Sequence, residues 1–99
     1  MIKPMRIEIP DQDLDDLRQR LKHTRWSPPI AGSNWADGTD GDYLRDLLAY
    51  WAGPYDWRQR EARLNTYNHF LTEIDGWQIH FIRANDQDTK SIPLLLLHG

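Results

Sequence analysis

The run Leu94-Leu95-Leu96-Leu97-His98-Gly99 constrains the fold of this chain more than any other feature. Four consecutive leucines lack the apolar–polar alternation of a half-exposed strand. They predict a strand over residues 91–97 that is buried on both faces, as in a parallel sheet covered by helices. Parallel neighbours are joined by crossover connections of about a dozen residues or more. We therefore expect the chain to be the front part of a larger α/β fold.

Length and charge exclude several classes of protein. The chain has 99 residues, with 12 basic and 15 acidic side chains and a formal net charge of −3. This length makes one domain at most. The basic residues are dispersed among apolar residues at helical spacing, which predicts solvated helix faces. A small helical nucleic-acid binder is therefore a poor interpretation, and we expect no nucleic-acid partner.

The composition also bears on the cellular compartment. The sequence contains no cysteine, which removes disulfides and thiolate metal sites and fits a cytoplasmic protein. No apolar run approaches the roughly 20 residues that span a bilayer, and the start lacks the apolar core of a signal peptide. We therefore predict a cytoplasmic location and no membrane partner.

The first part of the chain predicts a short strand and a helix. Ile7-Glu8-Ile9 alternates like a strand and Pro10 ends it. Asp11 is then a suitable N-cap for a helix over residues 12–23. The apolar stripe of this helix is Leu14, Leu17 and Leu21.

Two further helices are predicted after a loop over residues 27–41, in which Ile30 and Trp35 are expected anchors. Thr39 and Asp42 resemble a capping box for the second helix, and Gly53-Pro54 ends it. Its apolar face is Tyr43, Leu44, Leu47, Leu48 and Trp51. Asp56 is the predicted N-cap of a third helix over residues 57–66.

The hydrophobic period then changes from helical to alternating. Phe70, Thr72 and Ile74 share one face of a predicted strand, and Trp77, Ile79 and Phe81 share one face of the next. Asp75-Gly76 between them is a strong signal for a two-residue hairpin turn. A polar turn is predicted over residues 85–90, before the leucine-rich strand.

Taken together, these segments resemble a known family. The strings that carry the resemblance are Arg25-Trp26, the Gly-rich loop from Gly32 to Gly41, Asp42-Tyr43-Leu44, Tyr50-Trp51, Tyr55-Asp56-Trp57-Arg58, Glu61-Ala62-Arg63-Leu64-Asn65, His69-Phe70, Glu73-Ile74-Asp75-Gly76, Ile79-His80-Phe81 and Pro93 through Gly99. In this order they are similar to the N-terminal domain of epoxide hydrolases, in the branch of the microsomal and juvenile-hormone enzymes and their bacterial relatives. The resemblance runs from about Arg6 to Gly99.

The resemblance implies a fold class and an activity. The fold would be α/β: an N-terminal helical extension over residues 1–68, then the first three strands of an α/β-hydrolase core over residues 69–99, an incomplete fold. The family adds water to epoxides, in part for detoxification. An aspartate attacks the epoxide carbon, a histidine oriented by an acidic residue activates the hydrolytic water, and two cap-domain tyrosines bind the epoxide oxygen. No cofactor and no metal is implied.

None of those catalytic groups can be assigned within these 99 residues. His98 and Gly99 would begin the oxyanion-hole loop, whose backbone donor is expected just after them. A structural role for His98 at a strand end remains the alternative. His69 and His80 straddle the predicted hairpin without a convincing third metal ligand, so we expect structural histidines there.

Other candidate residues also have structural interpretations. Asp56 and Asp75 are explained by capping and turn formation, and Glu61 by an ion pair with a neighbouring arginine. Gly32, Gly38 and Gly41 are too scattered to cradle a phosphate.

The expected partners follow from the predicted open strand. They are the catalytic and cap domains of a parent enzyme and, for the full-length protein, a small epoxide. The alternative is a stand-alone interaction module that docks on another chain through the leucine strand, a homo-oligomer being one version.

Overall fold

The computed structural model describes residues 1–84 and 90–99, and within this part the chain forms three helices and three strands. The elements are β1 (Lys3–Met5), α1 (Asp11–Lys22), α2 (Gly41–Ala52), α3 (Trp57–Leu64), β2 (Asn68–Ile74) and β3 (Trp77–Arg83). The chain folds as two compact units, one of residues 8–60 and the other of residues 1–7 and 61–99. The predicted turn at residues 85–90 lies outside the described residues except for Lys90.

The unit of residues 8–60 is built on the packing of α1 against α2. Leu14 on the predicted apolar stripe of α1 is buried, with 8% of its surface exposed. Acidic residues lie in the first turn of α1 and basic residues in its last turn. Both sets of charges interact favourably with the helix dipole and stabilise the helix. The periodicity of the apolar residues therefore predicted this helix correctly to within one residue at each end.

The capping of the helices corrects two predictions. Asp11 is the first residue of α1 rather than its N-cap; Pro10 takes that position, with no side-chain cap. The Asp11 carboxylate instead accepts a hydrogen bond from Arg58 at 2.6 Å. At α2 the cap is Asp40, whose Oδ1 accepts from the Tyr43 N–H at 2.9 Å, so the predicted Thr39 capping box is wrong. Aspartate at this position satisfies an N–H of the first turn directly.

The Asp56 cap and the Gly53 stop are confirmed. Asp56 Oδ1 accepts from the Gln59 N–H at 3.2 Å at the start of α3. Gly53 follows the last residue of α2, and its N–H donates to the Ala49 carbonyl at 3.1 Å. The third helix ends at Leu64, two residues earlier than predicted.

The other unit contains an antiparallel sheet in the order β1-β2-β3. One of its two edge strands is Lys3–Met5, so the predicted strand at residues 7–9 is wrong. The physical reason lies in Ile7, whose N–H and C=O are bonded to the side chain of Asn65 rather than to a neighbouring strand. Pro4 is tolerated in β1 because an edge strand does not require every N–H to donate.

The predicted hairpin is confirmed. β2 pairs with β3 in a register that sets Ile74 opposite Trp77 and Phe70 opposite Phe81. Both residues of the turn have positive φ, 51° at Asp75 and 81° at Gly76. This is the backbone of a type I′ turn, whose twist matches that of the flanking strands.

The predicted buried strand at residues 91–97 is absent from the structure, which assigns these described residues to no helix or strand. We call residues 94–97 the leucine segment; its four side chains are 79% to 81% exposed. A strand forms only where a neighbouring backbone supplies hydrogen-bond partners, and an apolar strand is buried only where other elements cover it. The described residues supply the leucine segment with neither a neighbouring strand nor a covering element.

Candidate functional site

His98 and Gly99, which were expected to begin an oxyanion-hole loop, lie exposed outside helices and strands. They directly follow the leucine segment. The acidic candidates have separate roles in the structure. Asp56 caps α3, Asp75 forms the hairpin turn, and Glu61 is buried with 8% of its surface exposed.

The side chains of His69 and His80 form a polar contact in the sheet unit. His69 is 3% exposed. Its Nδ1 lies 2.9 Å from His80 Nε2, and its Nε2 lies 2.7 Å from the Leu64 carbonyl oxygen at the end of α3. The two rings stand 15° from parallel. Both nitrogens of His69 are therefore engaged in hydrogen bonds, in keeping with the expected structural role.

Among residues 1–84 and 90–99, no group of three or more His, Cys, Asp or Glu side chains is arranged to hold a metal ion. In the same part of the chain, no helix is both long and apolar enough to cross a membrane.

The helical unit carries an apolar groove with a volume of about 570 Å³. The groove is lined by Ile9, Leu14, Leu17, Arg18, Leu47, Tyr50, Trp51, Tyr55 and Trp57. Tyr50 and Tyr55 meet edge to face at 6.0 Å between ring centroids. Arg18 is the single charged residue of the lining, and it pairs with Asp15 at 3.0 Å. The groove suits apolar side chains and offers no nucleophile or general base.

The loop before α2 forms a second concave region in the same unit. Arg45 lies over the ring of Trp26 at 4.5 Å from the centroid, a cation–π contact. Trp35 packs on Tyr43 at 5.2 Å, so Trp35 does anchor the loop although 58% of it is exposed. Ile30, the other expected anchor, is 66% exposed.

Sequence reasoning missed the role of Asn65. Its side chain accepts from the Ile7 N–H at 2.9 Å and donates to the Ile7 carbonyl at 2.8 Å. This pair of bonds joins the segment after β1 to the segment after α3. An asparagine just past a helix carries no local signal for a partner so far away in the sequence.

Within the described residues a helical unit precedes an antiparallel hairpin, and similarity to solved structures assigns these elements to the N-terminal region of an α/β-hydrolase. Residues 2–99 match the family model described as epoxide hydrolase N terminus. The chain is 37% identical to epoxide hydrolase 1 of Sus scrofa and 36% identical to juvenile hormone epoxide hydrolase 1 of Ctenocephalides felis. Each alignment covers 99% of this chain and 22% of the relative. The chain belongs to the epoxide hydrolase family.

Solved structures agree with this assignment. A directed-evolution mutant of the Aspergillus niger epoxide hydrolase superposes with a TM-score of 0.83 at 34% identity, covering 93% of this chain and 25% of that one. The juvenile hormone epoxide hydrolase of the silkworm Bombyx mori gives a TM-score of 0.81 at 35% identity, covering 91% and 22%. The predicted fold class is therefore confirmed: a helical N-terminal extension and the first strands of an α/β-hydrolase sheet. The chain spans about a fifth of the length of the curated relatives it matches.

Proposed function

We propose that this chain is the structural front part of an enzyme that adds water to epoxides to give diols, and that it is inactive alone. The observation that carries the proposal is the match of residues 2–99 to the epoxide hydrolase N terminus. The names of the relatives, epoxide hydrolase 1 and juvenile hormone epoxide hydrolase among them, support the reaction class. These relatives are much longer than this chain, which supports a catalytic centre built from residues other than residues 1–99.

In the proposed enzyme the chemistry divides between covalent attack and hydrolysis. An aspartate on a nucleophile elbow opens the epoxide and forms an ester, and two tyrosines of the cap domain stabilise the oxygen released from the ring. A histidine oriented by an acidic residue then activates the water that cleaves the ester. We assign these groups to chain beyond residues 1–99. No cofactor is required by this chemistry.

Within the chain we propose a division at residue 68, with a helical extension before it and core strands after it. The leucine segment would become a buried parallel strand when neighbouring strands and helices cover it. Its exposure of about four-fifths in the structure supports a need for such cover. His98 and Gly99 would then begin the oxyanion-hole loop.

The first experiment determines the coding sequence that follows the Gly99 codon in frame. A continuation through an oxyanion-hole loop to an aspartate on a nucleophile elbow is expected. A stop codon directly after Gly99 would contradict the proposed enzyme.

The second experiment tests the inactivity of the isolated chain. The purified 99-residue chain is incubated with an aryl epoxide, and diol formation is followed by chromatography. We expect the rate of the uncatalysed reaction, because the nucleophile and base of the mechanism are assigned elsewhere. Turnover above the buffer control that scales with chain concentration would refute this part of the proposal.

A stand-alone interaction module is the second candidate function. The exposed leucine segment favours it, since unpaired backbone beside apolar side chains is a template for strand addition by a partner. A stop codon after Gly99 would support this alternative if, in addition, a protein that co-purifies with the chain protects the amides of residues 94–97 from hydrogen exchange.

A cytoplasmic location is part of either proposal and is tested by cell fractionation.

A further inference from the structure

Three Asp-Gly pairs occur in the chain, at Asp37-Gly38, Asp40-Gly41 and Asp75-Gly76. An Asp-Gly pair favours succinimide formation, because glycine has no β-carbon to obstruct attack by its backbone nitrogen on the preceding side chain. By residue type the three pairs are equivalent. Their surroundings in the structure differ, and the difference gives the chain a chemical property beyond the proposed function.

The reaction closes an imide ring and then reopens it. The glycine nitrogen attacks Cγ of the protonated aspartic acid; the C–N bond forms, the C–OH bond breaks, and the hydroxyl leaves with the proton of the nitrogen as water. Water then adds at either carbonyl. Opening at the side-chain carbonyl restores aspartate, whereas opening at the main-chain carbonyl leaves isoaspartate, in which the chain passes through Cγ. Ring closure requires rotation about the Cα–C bond until the β-carbon eclipses the amide nitrogen, so contacts that fix this bond slow the reaction.

Asp40 is held at both its side chain and its carbonyl group. Its Oδ1 accepts from the Tyr43 N–H at 2.9 Å, and its carbonyl oxygen accepts from the Leu44 N–H at 3.1 Å. Attack by the Gly41 nitrogen would withdraw the carboxylate from the first bond and rotate the carbonyl out of the second. The N-cap of α2 therefore protects Asp40-Gly41.

Asp75-Gly76 is held by the hairpin around it. The two residues form the type I′ turn, with φ of 51° and 81°, between Ile74 and Trp77, which pair across the ladder. Rotation about the Cα–C bond of Asp75 would turn β3 out of its register with β2. The ladder therefore protects this pair although both of its residues are exposed, so exposure alone does not decide the reaction.

Asp37-Gly38 has neither form of restraint. Both residues are exposed in the loop between α1 and α2. The backbone bond before them joins the Ala36 N–H to the Ser33 carbonyl at 2.8 Å, and the bond after them is accepted by Asp40. In the part of the chain that the structure describes, no hydrogen bond or ion pair holds the Asp37 carboxylate or the Gly38 N–H. The attacking nitrogen and the carboxyl group are thus unrestrained by hydrogen bonds.

We propose that Asp37-Gly38 is a site of spontaneous isoaspartate formation in the folded protein, and that the other two Asp-Gly pairs are protected from it. The product lengthens the main chain of the loop by one methylene group and leaves the negative charge on an α-carboxylate. The change falls between Trp35, which packs on Tyr43, and Asp40, which caps α2. Modification with age therefore alters the segment that leads into α2.

The test uses the protein as its gene encodes it, including any chain that follows Gly99. The protein is aged at neutral pH and physiological temperature, in native buffer and in parallel in guanidinium chloride, and is then digested with trypsin. Cleavage after Arg25 and Arg45 yields residues 26–45, which contain the site and its matched control Asp40-Gly41, and a second peptide, residues 64–83, contains Asp75-Gly76. Electron-transfer fragmentation assigns isoaspartate, and an unaged sample corrects for isomerisation during the digest.

In guanidinium chloride the three pairs should form isoaspartate at similar rates. In native buffer Asp37-Gly38 should react about as fast as in guanidinium chloride, whereas the other two pairs should be slowed about fivefold or more, the ratio that corresponds to a typical N-cap. Similar rates at all three pairs in native buffer would overturn the proposal, as would an Asp37-Gly38 pair slowed as much as its control. These rates are measured without any epoxide, so failure of this proposal and failure of the proposed function are distinguishable.

Discussion

At the scale of the residue, Asn65 shows how one side chain can replace a strand partner. Its amide oxygen and nitrogen bond to the N–H and C=O of Ile7, both in half-buried positions. The two bonds imitate the exchange of hydrogen bonds between paired residues of an antiparallel ladder. They hold the segment that follows β1 to the segment that follows α3.

Replacing Asn65 with alanine should lower the free energy of unfolding by about 1–3 kcal/mol, because both backbone groups of Ile7 lose their partner. The measurement is urea unfolding followed by tryptophan fluorescence. Gln12→Ala on an exposed position of α1 is the control, and a change within about 0.5 kcal/mol is expected there. A loss at Asn65 no larger than that of the control would show that the two bonds contribute little.

At the scale of the element, the β2–β3 hairpin is determined by its turn. Asp75 and Gly76 both adopt positive φ, which glycine accepts without steric cost and aspartate tolerates. The turn sets Ile74 opposite Trp77, and this register brings Phe70 and Phe81 to 5.5 Å between centroids. The same register sets His69 and His80 on one face.

Gly76→Ala should destabilise the chain by about 1–2 kcal/mol, since a β-carbon is strained at φ of 81° although no neighbouring atom obstructs it. Gly41→Ala is the matched control. Gly41 is the first residue of α2, has no positive φ and also has open space around a β-carbon, so alanine there should be neutral or stabilising. Equal losses at both positions, measured by thermal unfolding, would contradict the assignment of strain to the turn.

At the scale of the whole molecule, the described residues bury little apolar surface. The exposed large apolar side chains include the leucine segment, Trp77, Ile74 and Ile79. Trp77 is 75% exposed at the start of β3. Apolar surface that the fold leaves uncovered favours association with another surface.

The isolated chain should therefore self-associate, with a mass from light scattering that rises with concentration. Leu95→Lys combined with Leu97→Lys should shift it toward the monomer, because charges on a strand-forming segment oppose edge-to-edge pairing. Gln12→Lys with Gln19→Lys adds the same positive charge on exposed positions of α1 and should leave association unchanged. A constant monomer mass for the original chain at all concentrations would contradict this prediction.

Sequence reasoning succeeded where the information is local. The three helices follow from apolar stripes and from Asp56 and Gly53 at their ends, and the hairpin follows from Asp75-Gly76. It failed at β1, because the pairing of Lys3 with Leu71 depends on residues far apart in the chain. The contacts of Asn65 and His69 were missed for the same reason, since each partner lies on a different element.

The sequence by itself determined the family, the order of the helices and the turn of the hairpin. These properties are carried by residue spacing and by the φ angles that each residue accepts. Only the tertiary structure decided which segment pairs with β2, which imidazole is buried, and whether the leucines at residues 94–97 lie in a strand. Hydrogen-bond partners and burial are properties of neighbours in space, and the local pattern of residues does not specify those neighbours.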